Sequence, residues 1–198
     1  MLRKFSVTNY KNFPETLTID FTDIRKYDFN MKCVKNNLLN KGLILGKNGI
    51  GKTNLGLALF DISYTLTDNL RHPLQTDDES FLNGNSSSKF ATFVYEFQKD
   101  KDILRFEYRK NSPFNIIYES LEMNGTVLFR RDGNMPADYS GLKTIGLDSL
   151  QVKITNGPLS VLRFPLSVLR SSLSVLRSTL SAFRSILPRT FGRCPLCL

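Results

Sequence analysis

The chain has 198 residues, room for one domain with an appendage, and its 41% hydrophobic and 23% charged content is that of a globular protein. A formal charge of +9 points to a nucleic-acid partner until it is located. Seven of the 27 basic residues, Lys153 to Arg193, follow the last acidic residue, Asp148, and the 20 before it face 18 acids. The basic character therefore belongs to the tail. The composition breaks near residue 150, which separates an expected lobe, 1–150, from a tail, 151–198. Three cysteines, Cys33, Cys194 and Cys197, are too few for a disulfide framework. The N-terminus has no apolar h-region, and no run reaches the ~18 apolar residues of a membrane span, so a cytoplasmic location without a transmembrane segment is expected.

Residues 2–7 and 17–21 alternate apolar and polar in the manner of half-buried strands. Between them Asn9-Tyr10-Lys11-Asn12-Phe13-Pro14 has turn chemistry, so the pair reads as a hairpin or two neighbouring strands. Residues 22–41 are polar with scattered apolar positions and read as a loop or short irregular element. Leu43-Ile44-Leu45, bounded by Gly42 and Gly46, suits a central buried parallel strand. From Lys52 to about Thr67, Leu55, Leu59, Ile62 and Leu66 fall on one helical face. Residues 68–88 read as a surface loop. Beyond it, Phe90–Phe97, Ile103–Tyr108, Asn115–Glu122 and Thr126–Arg131 alternate, with Asn124-Gly125 as a hairpin signal. Residues 90–131 thus form an expected antiparallel meander of about four strands. Residues 132–150 read as loop.

Between the apolar triplet and the helix stands Gly46-Lys47-Asn48-Gly49-Ile50-Gly51-Lys52-Thr53, which matches the phosphate-cradling pattern G-x-x-x-x-G-K-[ST]. A phosphate chain needs many donors and no bulk. The glycines can take φ > 0 and turn backbone N–H groups inward, and the helix start adds donors and a positive dipole end. In this pattern Lys52 reaches the β- and γ-phosphates of ATP, the Thr53 hydroxyl goes to Mg²⁺, and Asn48 and Ile50 shape the loop. Hydrolysis asks for a carboxylate at the end of an apolar strand. The nearest candidate, Glu96 in Phe93-Val94-Tyr95-Glu96, reads better as a solvent-facing strand residue, and Gln98 as an exposed strand end. No catalytic residue is assigned.

The tail carries four heptads beginning at Leu159, Leu166, Leu173 and Leu180, each with Leu or Phe at its fourth place. Weak helix formers, Pro165 and the lack of acidic partners count against a coiled coil. The repeat reads as a tandem-repeat or frameshift product, or as a basic element (159–193) that binds nucleic acid or membrane. Cys194 and Cys197 have zinc-ligand spacing but form a single pair, with His72 distant, so they read as two thiols.

Phe5-Ser-Val-Thr-Asn-Tyr-Lys-Asn-Phe13 and Gly46–Leu55, with Asn48 and Asn54-Leu55, resemble the opening and the Walker A region of ABC-type ATPases of the SMC, RecF and OLD kind. The meander, with Tyr118-Glu119-Ser-Leu-Glu-Met-Asn-Gly125, is similar to the β-arm of OLD-like AAA ATPases of abortive-infection and anti-phage systems. The resemblance covers about residues 1–150. It implies an α/β fold: a P-loop NTPase N-terminal lobe with a mixed sheet, a Walker A strand-loop-helix and an antiparallel β-meander arm. It also implies ATP hydrolysis by a head-to-head homodimer or with a full-length ATPase partner, and an approach of Lys11 and Asn12 to the nucleotide. Walker B and signature motifs are not found, so the sequence reads as the N-terminal portion of such an ATPase.

Overall fold

The computed structural model describes residues 1–25, 31–66, 80–133 and 135–144. In chain order it has β1 (Leu2–Thr8), β2 (Leu17–Asp20), a 3₁₀ turn at Met31–Cys33, and the short strands β3 (Val34–Lys35) and β4 (Leu38–Leu39). There follow α1 (Lys52–Leu66), β5 (Ala91–Lys99), β6 (Asp102–Ser112), β7 (Asn115–Met123), β8 (Thr126–Asp132) and α2 (Ser140–Thr144).

The N-terminal hairpin forms as its alternation predicts. β1 and β2 pair antiparallel with Lys4 opposite Asp20 and Val7 opposite Leu17. The meander forms too, with all three of its hairpins antiparallel. At the last of these turns Asn124 (φ 52°) and Gly125 (φ 81°) both adopt the left-handed conformation that a two-residue hairpin loop requires. The Asn124 side chain locks the turn, accepting from the Ile103 N–H at 2.9 Å and donating to Asp102 Oδ1 at 3.0 Å. No atom lies within 4 Å of a Cβ at Gly125, so strain alone decides that position. Gly125→Ala is expected to lower stability by about 1 kcal/mol in urea denaturation.

These two units are not lobe and arm. β1 also pairs with β5, Phe5 opposite Tyr95 and Val7 opposite Phe93, so a single six-stranded sheet runs β2-β1-β5-β6-β7-β8. The alternation places Phe5 and Val7 on one face with Phe93, Tyr95, Phe97, Leu104, Phe106 and Tyr108. α1 covers this face with Leu57, Ala58 and Ile62, and the aromatic rings interlock beneath it, Phe93 on Tyr108 at 5.1 Å and Phe5 on Tyr95 at 4.9 Å. The opposite face carries half-buried Glu96, Arg105, Glu107 and Glu122, linked by ion pairs from Arg105 to Glu107 (2.7 Å) and Glu122 (3.1 Å). An antiparallel sheet can be one-sided in this way.

The expected α/β architecture is therefore corrected. Among the described residues the structure is mostly antiparallel β with few helices, and the six-stranded sheet contains no parallel pair. Leu43-Ile44-Leu45, expected as the buried strand feeding the glycine-rich loop, forms no strand and is exposed at 83%, 50% and 81%. A buried parallel strand needs strands beside it and helices over both faces. Here β4 pairs only with β3, in a separate two-stranded sheet that touches the end of β2 where the Leu39 N–H donates to Phe21 O at 2.8 Å, and residues 40–47 join no strand. Leu43 and Ile44 of the triplet instead line an apolar cavity of about 390 Å³, shared with Leu2, Ile19, Phe21 and Leu59. The helix after the loop does form, at Lys52–Leu66. Its buried residues are Leu57, Ala58, Asp61, Ile62 and Thr65, whereas Leu55, Leu59 and Leu66 pack at the margin, so the face is rotated from the leucine stripe.

Candidate functional site

The glycine-rich loop bridges the exposed triplet and α1. Gly49 (φ 81°) and Gly51 (φ 102°) both lie in the region that side chains disfavour. They wind the loop so that Lys52, the first residue of α1, folds back over it. Lys52 Nζ donates to Gly46 O and to Lys47 O, each at 2.7 Å. Residues 46–50 and Thr53 are exposed, and Gly51 and Lys52 are half-exposed. The helix begins immediately, Leu55 N–H donating to Gly51 O at 2.9 Å, and its first turn contains no acidic residue. A positive dipole end, an ammonium group and the exposed cation Lys47 thus meet at one loop, an electrostatic setting for an anion.

The turn between β1 and β2 reaches this loop. Tyr10 and Phe13 bond reciprocally through their backbones at 3.0 and 2.8 Å, and Asn9 (φ 53°) and Lys11 (φ 46°) are left-handed. Asn12 Nδ2 donates to Ile50 O at 3.1 Å, and Asn12 Oδ1 accepts from Asn54 Nδ2 at 2.9 Å. The structure therefore brings Asn12 to Gly46–Thr53. Lys11 stands beside it, its N–H donating to Phe81 O at 3.0 Å and its carbonyl accepting from Asn83 Nδ2 at 2.5 Å.

Other candidates fall elsewhere. Glu96 alternates with the buried Tyr95 and Phe97, so it lies on the sheet face away from α1 and cannot serve a metal at Thr53. Gln98 Nε2 donates to Asp100 O at 3.2 Å, at the far end of β5. Among the described residues no group of three His, Cys, Asp or Glu side chains could hold a metal ion. His72, Cys194, Cys197 and the heptad tail lie outside the described residues.

A polar cluster beneath α1 has no counterpart in the sequence reading. Asp61, buried on the helix, accepts at Oδ2 from Lys110 Nζ (2.7 Å), Tyr108 OH (2.7 Å) and Thr65 Oγ1 (3.1 Å). Tyr95 OH donates to Ala58 O at 2.7 Å. Burial, reinforced by the negative charge of Asp61, pushes both tyrosine hydroxyls well above their ordinary range, so they remain O–H donors. The cluster ties the helix that carries Lys52 to β5 and β6. Among the described residues no helix is long and apolar enough to cross a membrane. Neither a family model nor a curated protein matches the chain.

Proposed function

We propose that the chain binds ATP with Mg²⁺ on the loop Gly46–Thr53. The observation that supports this most is the clasp of Lys52 over a loop turned by two left-handed glycines at a helix start. The geometry suits a phosphate chain: Gly46, Gly49 and Gly51 keep bulk away, Lys47, Asn48 and Ile50 frame the loop, and the Lys52 ammonium can exchange loop carbonyls for phosphate oxygens. The hydroxyl of Thr53, exposed in the first turn, is the ligand that this chain offers Mg²⁺, with the phosphates supplying further oxygens. Lys11 and Asn12 flank the loop from the sheet.

Binding is the core of this reading. ATP hydrolysis belongs to it only with a full-length ATPase partner that brings a catalytic carboxylate, and a head-to-head homodimer would set two of these loops face to face. A cytoplasmic location, where Mg·ATP is plentiful, completes it. Nucleic acid enters as a partner only through the tail.

Lys52→Ala removes a charge-assisted contact and is expected to weaken Mg·ATP binding about 10- to 100-fold in calorimetry with the full chain. Thr53→Ala should lower affinity in Mg²⁺ and leave it unchanged in EDTA. Equal binding by wild type and Lys52→Ala, or no binding by either, overturns the proposal.

A further inference from the structure

Two clasps hold the glycine-rich loop, and they differ in kind. One is internal: Lys52 Nζ on the carbonyls of Gly46 and Lys47. The other comes from the sheet: Asn12 holds Ile50 O and Asn54 Nδ2 at once. The fit of the second is close. A Cβ on Gly51 would fall 2.0 Å from Asn12 Nδ2, so the glycine makes room for the asparagine as well as for the backbone turn.

Asn12 is itself held firmly. The Tyr10 ring is buried between Phe81 and Phe93, with centroids 5.3 Å from each. Asn9, also buried, donates through Nδ2 to Ser88 O and Phe90 O, both at 2.8 Å. Asn83 donates to Lys11 O. A turn with two left-handed non-glycine residues persists only where its surroundings impose it, and these contacts impose it from the segment 81–90.

We propose that Asn12 is a positioning residue for the glycine-rich loop, acting on the loop backbone rather than on the nucleotide. This rests on the reading of that loop as a nucleotide site and adds a division of labour to it. When the Lys52 ammonium turns from the loop carbonyls to an anion, the internal clasp opens. Asn12 is the clasp that stays, keeping Ile50 and Gly51 in register with the helix start. The segment 81–90 acts on the loop through the same side chain.

The test uses the full chain and two readouts. The first is tryptic cleavage after Lys47 without nucleotide, mapped by mass spectrometry. Asn12→Ala is expected to raise its rate about fivefold through loss of both hydrogen bonds. Asn12→Asp, which keeps an acceptor for Asn54 but cannot donate to Ile50 O, should rise nearly as much. Asn54→Ala, which leaves the Ile50 bond intact, should rise less. An Asn12→Ala rate no different from wild type, with unfolding midpoints matched, overturns the proposal whatever ATP does. The second readout is Mg·ATP affinity, expected to fall about fivefold in Asn12→Ala. If affinity is unchanged while cleavage rises, Asn12 does not position the loop for its ligand and the proposal also fails. If the wild type binds no ATP while cleavage still rises in Asn12→Ala, the nucleotide reading falls and the clasp on the loop stands.

Discussion

Lys110→Met is expected to destabilise the protein by about 3–5 kcal/mol, measured by urea denaturation at neutral pH. Lys110 and Asp61 are both buried, and their ion pair spans 2.7 Å between β6 and α1. Methionine fills much of the lysine volume, so little of the loss comes from packing. What remains is a carboxylate in an apolar layer whose donors among the described residues are the hydroxyls of Tyr108 and Thr65. Asp61→Leu is expected to cost a comparable amount by stranding the ammonium. The double variant Asp61→Leu/Lys110→Met, which removes both charges, should recover most of the loss and lie within about 2 kcal/mol of wild type. Strict additivity of the two single losses would show that the pair is not coupled. Tyr108→Phe removes one donor and is expected to cost about 1–3 kcal/mol. The cluster also bears on the loop, because α1 carries Lys52 at its first position and Asp61 pins that helix to the sheet.

Local patterning was legible where a residue's environment follows from its near neighbours. The alternation in Phe90–Phe97 and Ile103–Tyr108 predicts β5 and β6, and Asn124-Gly125 predicts the turn joining β7 to β8. The loop residues Gly46–Thr53 were legible as a set, since a turn followed by a helix start is written in consecutive positions. What was not legible depends on distant partners. Leu43-Ile44-Leu45 has the composition of a buried strand, but burial requires neighbours that three residues cannot specify, and the triplet is exposed. The pairing of β1 with β5 joins the hairpin and the meander across more than 80 residues of chain, and neither alternation encodes it. Asp61 gave a signal of another kind: one acid inside Leu57-Ala-Leu-Phe-Asp-Ile62 reads as the polar side of an amphipathic helix. Lys110 was the stronger clue, because it continues the phase of Leu104, Phe106 and Tyr108 and so stands on their buried face. A buried cation in phase with an apolar stripe demands an acid, and Asp61 is the one that the helix supplies. Asn12 entered only through the resemblance of Phe5–Phe13, as a residue near the nucleotide; its bonds to Ile50 and Asn54, about 40 residues later, have no local signal.

Stability is expected to fall as pH rises from about 4.5 to about 7, by about 3 kcal/mol, through Glu119 alone. Glu119 lies buried on β7 against Arg131 of β8, with Tyr139 alongside. Burial pushes its carboxyl up to about 7, and the attraction of Arg131, which pulls the other way, offsets only part of that. One oxygen, Oε2, has no hydrogen-bond partner among the described residues, which adds to the cost of carrying a charge there. The sign follows from proton counting. Between the ordinary glutamate value and 7 the folded chain keeps a proton that the unfolded chain releases, so raising pH favours unfolding across that window. Asp20 and Asp138, both held below the usual aspartate range by bonds to Thr22 and Ser140, act in the opposite sense and at lower pH. The N-terminal amine of Met1, lowered by burial, also opposes, losing its proton more readily in the folded chain. The decisive quantity is therefore the difference between wild type and Glu119→Gln, measured from pH 4 to pH 8. The glutamine cannot titrate, so its stability curve should lack this fall, and the gap between the two proteins should drift by about 3 kcal/mol toward the variant as pH rises. The drift isolates the proton from the constant penalty of giving Arg131 a neutral partner, because that penalty shifts the whole curve without tilting it. Parallel curves across the window would mean that Glu119 is ionised throughout, and that Arg131 outweighs burial at this end of the sheet.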